Sequence, residues 1–116
     1  MATDSTAYQR ALAFAQRIVR LYQHLNSDHH EYILAKQILR SGTGIGANIA
    51  EARYGFSRKD FVAKIYIALK ECAETLYWLE LLHNTEYLSD EEYISLYEDC
   101  EILRRMLSAT TKTART

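Results

Sequence analysis

Apolar residues recur every three or four positions through most of this chain. From Tyr8 to Leu25 they occupy the positions expected for one buried face of a helix. The same spacing continues in three later segments, which polar residues separate. The pattern therefore predicts four helices and a flexible polar tail, with helices at about 6–26, 29–53, 57–84 and 89–109 and the tail at 110–116.

Short polar motifs predict where the later helices begin. Asp28 with Glu31, and Ser89 with Glu92, have the three-residue spacing of a capping box. Ser57 has the character of an N-cap ahead of the third helix. These motifs place the starts of the second, third and fourth helices.

The segment between the second and third helices carries two further signals. Gly55 is predicted to adopt the left-handed conformation that often ends a helix. Phe56 and Phe61 have the spacing of a hydrophobic staple, in which the side chain before the cap packs on the first turn.

Three of the four glycines, Gly42, Gly44 and Gly46, lie within the second predicted helix. A phosphate-binding loop is one interpretation, but a helical pattern precedes these glycines where a strand is required, and no Gly-Lys-Ser/Thr sequence occurs. Gly42, Gly46 and Ala50 are four residues apart, which places them on one side of a helix. We interpret them as a smooth face for close helix packing.

Composition agrees with an all-α domain. The chain has 116 residues, no proline and four glycines, which suits one domain of helices joined by short turns. Four helices with short connections predict an antiparallel up-down four-helix bundle over residues 1–116. Cys72 and Cys100 lie in apolar segments and are expected to be buried, reduced thiols. With no signal-like N-terminus and no long apolar run, we expect a cytoplasmic protein without membrane contact.

The charges are unevenly distributed along the chain. The formal net charge is −1, but residues 1–70 carry ten Lys/Arg and five Asp/Glu, whereas residues 71–116 carry four and ten. The first part is therefore basic and the second acidic. Each of these two parts can present its own electrostatic potential to a partner or to a second copy of the chain.

One motif is typical of metal-binding helical bundles. Glu80 and His83 form a Glu-x-x-His pair, of the kind that binds one iron of a di-iron centre. Such a centre needs a second pair and two further glutamates, and the first helix has no acidic residue between Tyr8 and Leu25. No nucleophile lies at a recognisable spacing from a base. We therefore expect no metal, no cofactor and no enzymatic activity.

Several polar residues lie on segments that are otherwise apolar, and they have two interpretations. They form either a binding pocket or a structural network that fixes the register of the helices. We favour the structural network, because no catalytic group accompanies them. Its members are Arg40, Asn48, Glu51, Glu71 and Glu74.

Basic residues of the first part of the chain are candidates for nucleic-acid binding. Those on the first two helices share faces, and those after residue 52 alternate with Tyr54 and Phe56, which are able to stack on unpaired bases. An ordinary solvated surface explains the same residues, and a staple explains Phe56. The candidates are Arg10, Arg17, Arg20, Lys36, Arg40, Arg53, Arg58 and Lys59.

Three stretches together resemble the bacterial 23S rRNA intervening-sequence protein family. They are Ala47-Asn48-Ile49-Ala50-Glu51, the segment Ser57 to Phe61, and the run from Ile67-Ala68 through Glu74-Thr75 to Trp78-Leu79-Glu80. The resemblance implies an up-down bundle, assembly into a ring-like homopentamer, and a relation to the accessory protein of diversity-generating retroelements, which partners nucleic acid and reverse transcriptase. It does not imply an enzyme. That accessory protein is strongly basic, whereas this chain has a net charge of −1. The chain also carries Gly44 and Gly46 where relatives often have Ser and Pro.

Two functions follow as hypotheses. The first is a non-enzymatic homo-oligomeric scaffold that binds RNA or a nucleic-acid-processing protein through its basic faces. The alternative is a purely structural or protein-interaction module without affinity for nucleic acid, which the net charge of −1 favours.

Overall fold

The computed structural model describes the backbone of residues 2–115 and the side chains of residues 6–114. Within residues 2–115 the chain forms four helices and no strand, and the helices are α1 (Ala2–His29), α2 (Ile33–Ala52), α3 (Arg58–Asn84) and α4 (Asp90–Arg115). The molecule measures 45 × 21 × 19 Å. A helix of 28 residues is about 42 Å long, so the helices lie along the long axis.

The connections 30–32, 53–57 and 85–89 are too short to carry the chain back along a helix, so consecutive helices run in opposite directions. Each helix contacts its two neighbours, and α1 also contacts α4, which closes the bundle. The contact between α1 and α4 is the smallest of the four. The prediction of an all-α four-helix bundle is confirmed.

The core contains apolar side chains from every helix at the predicted three-and-four spacing. Its largest fully buried members are Phe14, Ile18, Leu25, Ile38, Ile45, Ile49, Ile65, Leu79, Leu82, Leu103 and Leu107. Both cysteines are buried in this core and are not joined by a disulfide. The Cys100 thiol donates to the carbonyl oxygen of Cys72 at 3.6 Å. The hydrogen bond with Cys72 and burial raise the pKa of Cys100 far above its usual range, so this thiol is unreactive.

Helix α2 continues without interruption through its three glycines, which excludes a phosphate-binding loop at this position. Gly42 is buried against α1, where an added Cβ would lie 2.8 Å from Cγ1 of Ile18. At Gly46 an added Cβ would lie 3.4 Å from the Cβ of Ala11, which is ordinary contact. The predicted smooth face therefore lies against α1, and its closest approach is at Gly42.

The turn between α1 and α2 differs from the prediction. Asp28 does not cap α2, since it lies in the last turn of α1, where Oδ2 of its carboxyl group is 2.6 Å from Nδ1 of His24. The chain leaves α1 at His30, whose φ of 52° is left-handed, and Glu31 then accepts a hydrogen bond from the backbone N–H of Leu34. A helix end at a non-glycine residue leaves no clear signal in the sequence.

The turn between α3 and α4 combines a left-handed residue that the sequence did not predict with a capping box that it did. Glu86 has a φ of 72°, and the N–H groups of Glu86 and Tyr87 donate to the carbonyl oxygens of His83 and Leu82 in a Schellman motif. The capping box is confirmed: the Ser89 N–H donates to Glu92 at 3.0 Å, and the Glu92 N–H donates to Ser89 at 3.2 Å. These hydrogen bonds hold the pKa of Glu92 below its usual value.

Of the three predictions for the turn between α2 and α3, one is confirmed and two are wrong. Ser57 caps α3 by accepting the Asp60 N–H at 3.1 Å, as predicted. Gly55 does not adopt a left-handed conformation. No staple forms either, because the Phe56 side chain is 100% exposed. The turn directs Phe56 away from the bundle, which spacing alone does not reveal.

Helix α4 extends past the predicted end at residue 109, through most of the segment predicted to be a flexible tail. Its hydroxyl side chains bond to the preceding turn: Thr110 donates to the carbonyl oxygen of Met106 at 3.0 Å, and Thr111 to that of Ser108 at 2.7 Å. Both threonines are buried. Burial and satisfied hydroxyls explain why polar residues continue the helix; Thr116 lies outside the described residues.

Candidate functional site

The most connected polar cluster lies between α2 and α3. The Arg40 guanidinium forms an ion pair with Glu74, lies 3.7 Å from Oε2 of Glu71 and donates to Gln37 at 3.1 Å. Trp78 donates its indole N–H to Oε2 of Glu74 at 2.9 Å. Three of the five residues predicted to form a network therefore lie together: Arg40, Glu71 and Glu74.

The two glutamates of this cluster have pKa values displaced in opposite directions. The hydrogen bond from Trp78, together with Arg40, holds the pKa of Glu74 below its usual value. Burial raises the pKa of Glu71 despite the attraction of Arg40. Oε2 of Glu71 is buried and accepts no hydrogen bond within the described residues. Two glutamates one helical turn apart thus respond differently to pH.

Gly44 provides the space that the Glu71 carboxyl occupies. An added Cβ at Gly44 would lie 3.1 Å from both Cδ and Oε2 of Glu71. Helix α2 therefore has small residues on two sides: Gly42 faces α1, and Gly44 faces the carboxyl group from α3.

The other two residues of the predicted network have separate partners. Asn48 donates to the carbonyl oxygen of Gly44 within its own helix at 2.8 Å. Glu51 accepts from Lys64 at 2.8 Å; the Glu51 side chain is exposed and that of Lys64 is partly buried. Neither residue reaches the Arg40 cluster.

A buried pair of hydroxyl groups lies next to the cluster, between α2 and α3. This pair was not predicted from the sequence. Oγ1 of Thr75 lies 2.9 Å from Oγ of Ser41 and 2.8 Å from the carbonyl oxygen of Glu71, and both side chains are fully buried. The available signal was a serine within the apolar stripe of α2. Since every polar atom of the pair has a partner, the pair fixes the register of α2 against α3.

The basic patch predicted on α1 and α2 is divided by the structure. Arg17 turns toward α4, where it forms an ion pair with Asp99 at 2.6 Å and donates to Oγ of Ser95 at 2.8 Å. Arg40 is held by α3. Arg10, Arg20 and Lys36 remain exposed. Two of the five candidate cations on these helices are thus engaged in holding the bundle together.

The remaining candidates lie at or beside the turn between α2 and α3. The Arg53 guanidinium lies over the ring of Tyr8, 4.6 Å from its centroid. Arg58 and Lys59 are exposed in the first turn of α3. Tyr54 is 81% exposed and Phe56 completely so. The turn therefore presents two aromatic side chains among three basic ones.

Comparisons with known proteins identify the family. The chain matches the 23S rRNA-intervening sequence protein family over residues 3–109. It belongs to this family. It is also similar to a crystallised protein of unknown function from the S23 ribosomal protein family of Bacteroides thetaiotaomicron VPI-5482, at 48% identity and a TM-score of 0.93. That similarity covers 95% of this chain and 98% of the other. No curated protein matches the chain.

In this intervening-sequence family protein, the Glu-x-x-His motif contributes to a turn. His83 lies 2.6 Å from Oδ1 of Asp90 and stacks on the ring of Tyr93 at 4.2 Å, while Glu80 is exposed. Among the side chains of residues 6–114, no three His, Cys, Asp or Glu are placed to hold a metal ion. His83 thus joins the end of α3 to the start of α4.

The histidines of the α1 C-terminus lie at the same end of the bundle. His29 makes edge-to-face contacts with His24 at 5.1 Å and with Tyr87 at 5.4 Å. These rings line an open cleft whose other walls include Glu86, Leu88 and Glu92.

Among the described residues, no helix is long and apolar enough to span a lipid bilayer.

Proposed function

We propose that this protein is a non-enzymatic scaffold that assembles from copies of itself in a head-to-tail manner. The observation that carries the proposal is the presence of exposed apolar side chains on two different sides of the bundle.

The first of these surfaces lies on α1, near its contact with α2. Leu12 is 47% exposed, and Val19 is exposed seven residues later on the same side of the helix. Each directly follows a residue that contacts a glycine of α2, namely Ala11 and Ile18. We name this pair of residues the α1 surface.

The second surface lies on the other pair of helices. Tyr66 and Tyr77 of α3 and Ile94 of α4 are exposed, the last two by 58% and 60%. Since α3 does not contact α1, the two tyrosines lie on a different side of the bundle from the α1 surface. We name these three residues the α3–α4 surface.

Two different surfaces favour a heterologous interface, in which the α1 surface of one copy contacts the α3–α4 surface of the next. A heterologous interface produces a closed ring when the rotation per copy divides a full turn. The homopentamer implied by the sequence resemblance is a ring of this kind. Five copies of the 13.4 kDa chain have a mass of about 67 kDa.

Mixing two variants tests the head-to-tail arrangement. Leu12→Arg and Tyr77→Arg each place a charge on one surface and leave the other intact, so each variant alone is expected to be a monomer. An equimolar mixture still contains one intact pair of surfaces and is expected to form a dimer. Light scattering measures all three masses, and Glu98→Arg, at an exposed site on α4, is the control that retains the full assembly.

Other masses contradict the proposal. A wild-type protein that is monomeric at all concentrations excludes assembly. A Tyr77→Arg variant with the wild-type mass shows that the α3–α4 surface is not used. Two monomeric variants that remain monomeric when mixed indicate an interface that pairs identical surfaces.

The geometry favours protein interaction over RNA binding by α1 and α2. Arg17 and Arg40 are neutralised by Asp99 and Glu74, so only dispersed cations remain there for phosphate contacts. Arg10→Glu combined with Arg20→Glu is expected to change the affinity for structured RNA little. A large, salt-dependent loss of affinity would restore the RNA-binding hypothesis for this face.

A further inference from the structure

The turn between α2 and α3 exposes two aromatic side chains without a structural reason. Tyr54 and Phe56 contribute almost nothing to the core, although burying a phenylalanine stabilises a fold by about 1.5–3 kcal/mol. The spacing of Phe56 and Phe61 permits a staple that the structure does not form. Large apolar side chains held in solvent are typical of a binding surface.

The backbone that carries these side chains is ordered by local contacts. The N–H groups of Tyr54 and Gly55 donate to the carbonyl oxygens of Glu51 and Ala52 at 3.0 and 3.1 Å. An added Cβ at Gly55 would lie 3.2 Å from the backbone nitrogen of Phe61, so the turn packs closely on α3. The two rings therefore project from a fixed base, which lowers the entropic cost of binding a ligand.

The charge around the turn indicates the chemistry of the ligand. Residues 53–70 contain five Lys/Arg and a single acidic residue, Asp60. Lys64 is paired with Glu51, and Arg53 lies over Tyr8, whereas Arg58 and Lys59 are exposed two and three residues after Phe56. A ligand with flat apolar groups joined by negative charges complements this surface.

We propose that Tyr54 and Phe56 stack on unpaired bases of single-stranded nucleic acid, while Arg58 and Lys59 contact its phosphates. Aromatic side chains among basic ones are the usual means by which proteins bind single strands without sequence preference. Duplex bases are stacked on each other and do not offer free faces to the turn. The four residues of the site are distinct from those of the α1 and α3–α4 surfaces, so the proposal does not require assembly.

The test compares three labelled ligands at low ionic strength by fluorescence anisotropy: a 12-nucleotide oligouridine, an abasic chain of the same length, and a blunt duplex. The wild-type protein is expected to bind oligouridine at least about tenfold more tightly than the other two. Phe56→Ala is expected to lose about tenfold in affinity for oligouridine, equivalent to about 1.4 kcal/mol, and Phe56→Trp to retain it. An oligodeoxyuridine of equal length separates RNA from DNA preference.

The control variant is Ile33→Ala, which removes an exposed apolar side chain at the far end of α2, outside the turn and outside both assembly surfaces. It is expected to bind as the wild type does. Equal affinities of wild type and Phe56→Ala, equal affinities for oligouridine and the abasic chain, or no binding of oligouridine would each overturn the proposal. Because Phe56 makes no core contact, its variants keep the fold, and light scattering on the same samples tests assembly separately.

Discussion

The side chain of Ile18 occupies the space that a side chain at Gly42 would need. An added Cβ at Gly42 would lie 2.8 and 2.9 Å from the two γ carbons of Ile18, closer than packed carbon atoms approach. Four residues along the helix, Gly46 has room for a methyl group beside Ala11. Two glycines on one face of α2 therefore have different roles.

Alanine at these two positions is expected to have opposite effects. Gly42→Ala should reduce the free energy of unfolding by about 1–3 kcal/mol through overpacking against Ile18. Gly46→Ala should increase it by up to about 1 kcal/mol, because alanine favours the helix. Urea denaturation of both variants measures the difference. Equal destabilisation by the two substitutions would show that the close approach extends along the whole face.

Glycine at position 86 is expected to stabilise the protein. Glu86 has a φ of 72°, a conformation that costs a side-chain-bearing residue about 1 kcal/mol and glycine almost nothing. Glu86→Gly should therefore increase the free energy of unfolding by about 1 kcal/mol. Glu98→Gly, within α4, should decrease it by a similar amount. A loss of stability in both variants would argue against the left-handed conformation at residue 86.

The two glutamates near Arg40 should affect stability differently with pH. Because burial raises the pKa of Glu71 in the folded protein, stability falls as the pH rises from the ordinary glutamate pKa of 4.5 through the raised value. Glu71→Gln should thus be more stable than wild type at pH 7, and the gain should disappear in acid. Denaturant titrations across this pH range measure the change.

Glu74→Gln is the matched comparison. The pKa of Glu74 is lowered, so its charged form stabilises the fold above the ordinary pKa, and that stability is lost as the pH falls through the lowered value. The variant should be less stable than wild type at pH 7. If both glutamine variants shift stability in the same direction, then burial of Glu71 and the hydrogen bond from Trp78 to Glu74 do not explain the two pKa shifts.

Arg17 is expected to contribute to the contact between α1 and α4. Its guanidinium bonds to Asp99 and Ser95, and α1 and α4 share the smallest helix contact in the bundle. Arg17→Met keeps the aliphatic stem and should cost about 1 kcal/mol, since the ion pair is partly solvated. Arg20→Met, on the exposed side of α1, should cost much less. Thermal unfolding of both variants gives the comparison, and equal values would mean that the ion pair adds nothing.

The sequence by itself determined the features that depend on neighbouring residues. The period of the apolar residues predicted the four helices, and the Ser89–Glu92 capping box predicted the start of α4, because both partners of each reciprocal bond lie within three residues. The helical spacing of apolar residues on both sides of the glycines predicted a helix through them.

The tertiary structure decided which polar residues meet. Arg17 and Asp99 are 82 positions apart, and Ser41 and Thr75 are 34 apart, so their contacts depend on how the helices pack. The same packing leaves Phe56 in solvent and gives α4 its buried threonines near residue 110. Local propensity determines where a helix forms, whereas burial and long-range pairing determine which of its side chains remain available for binding.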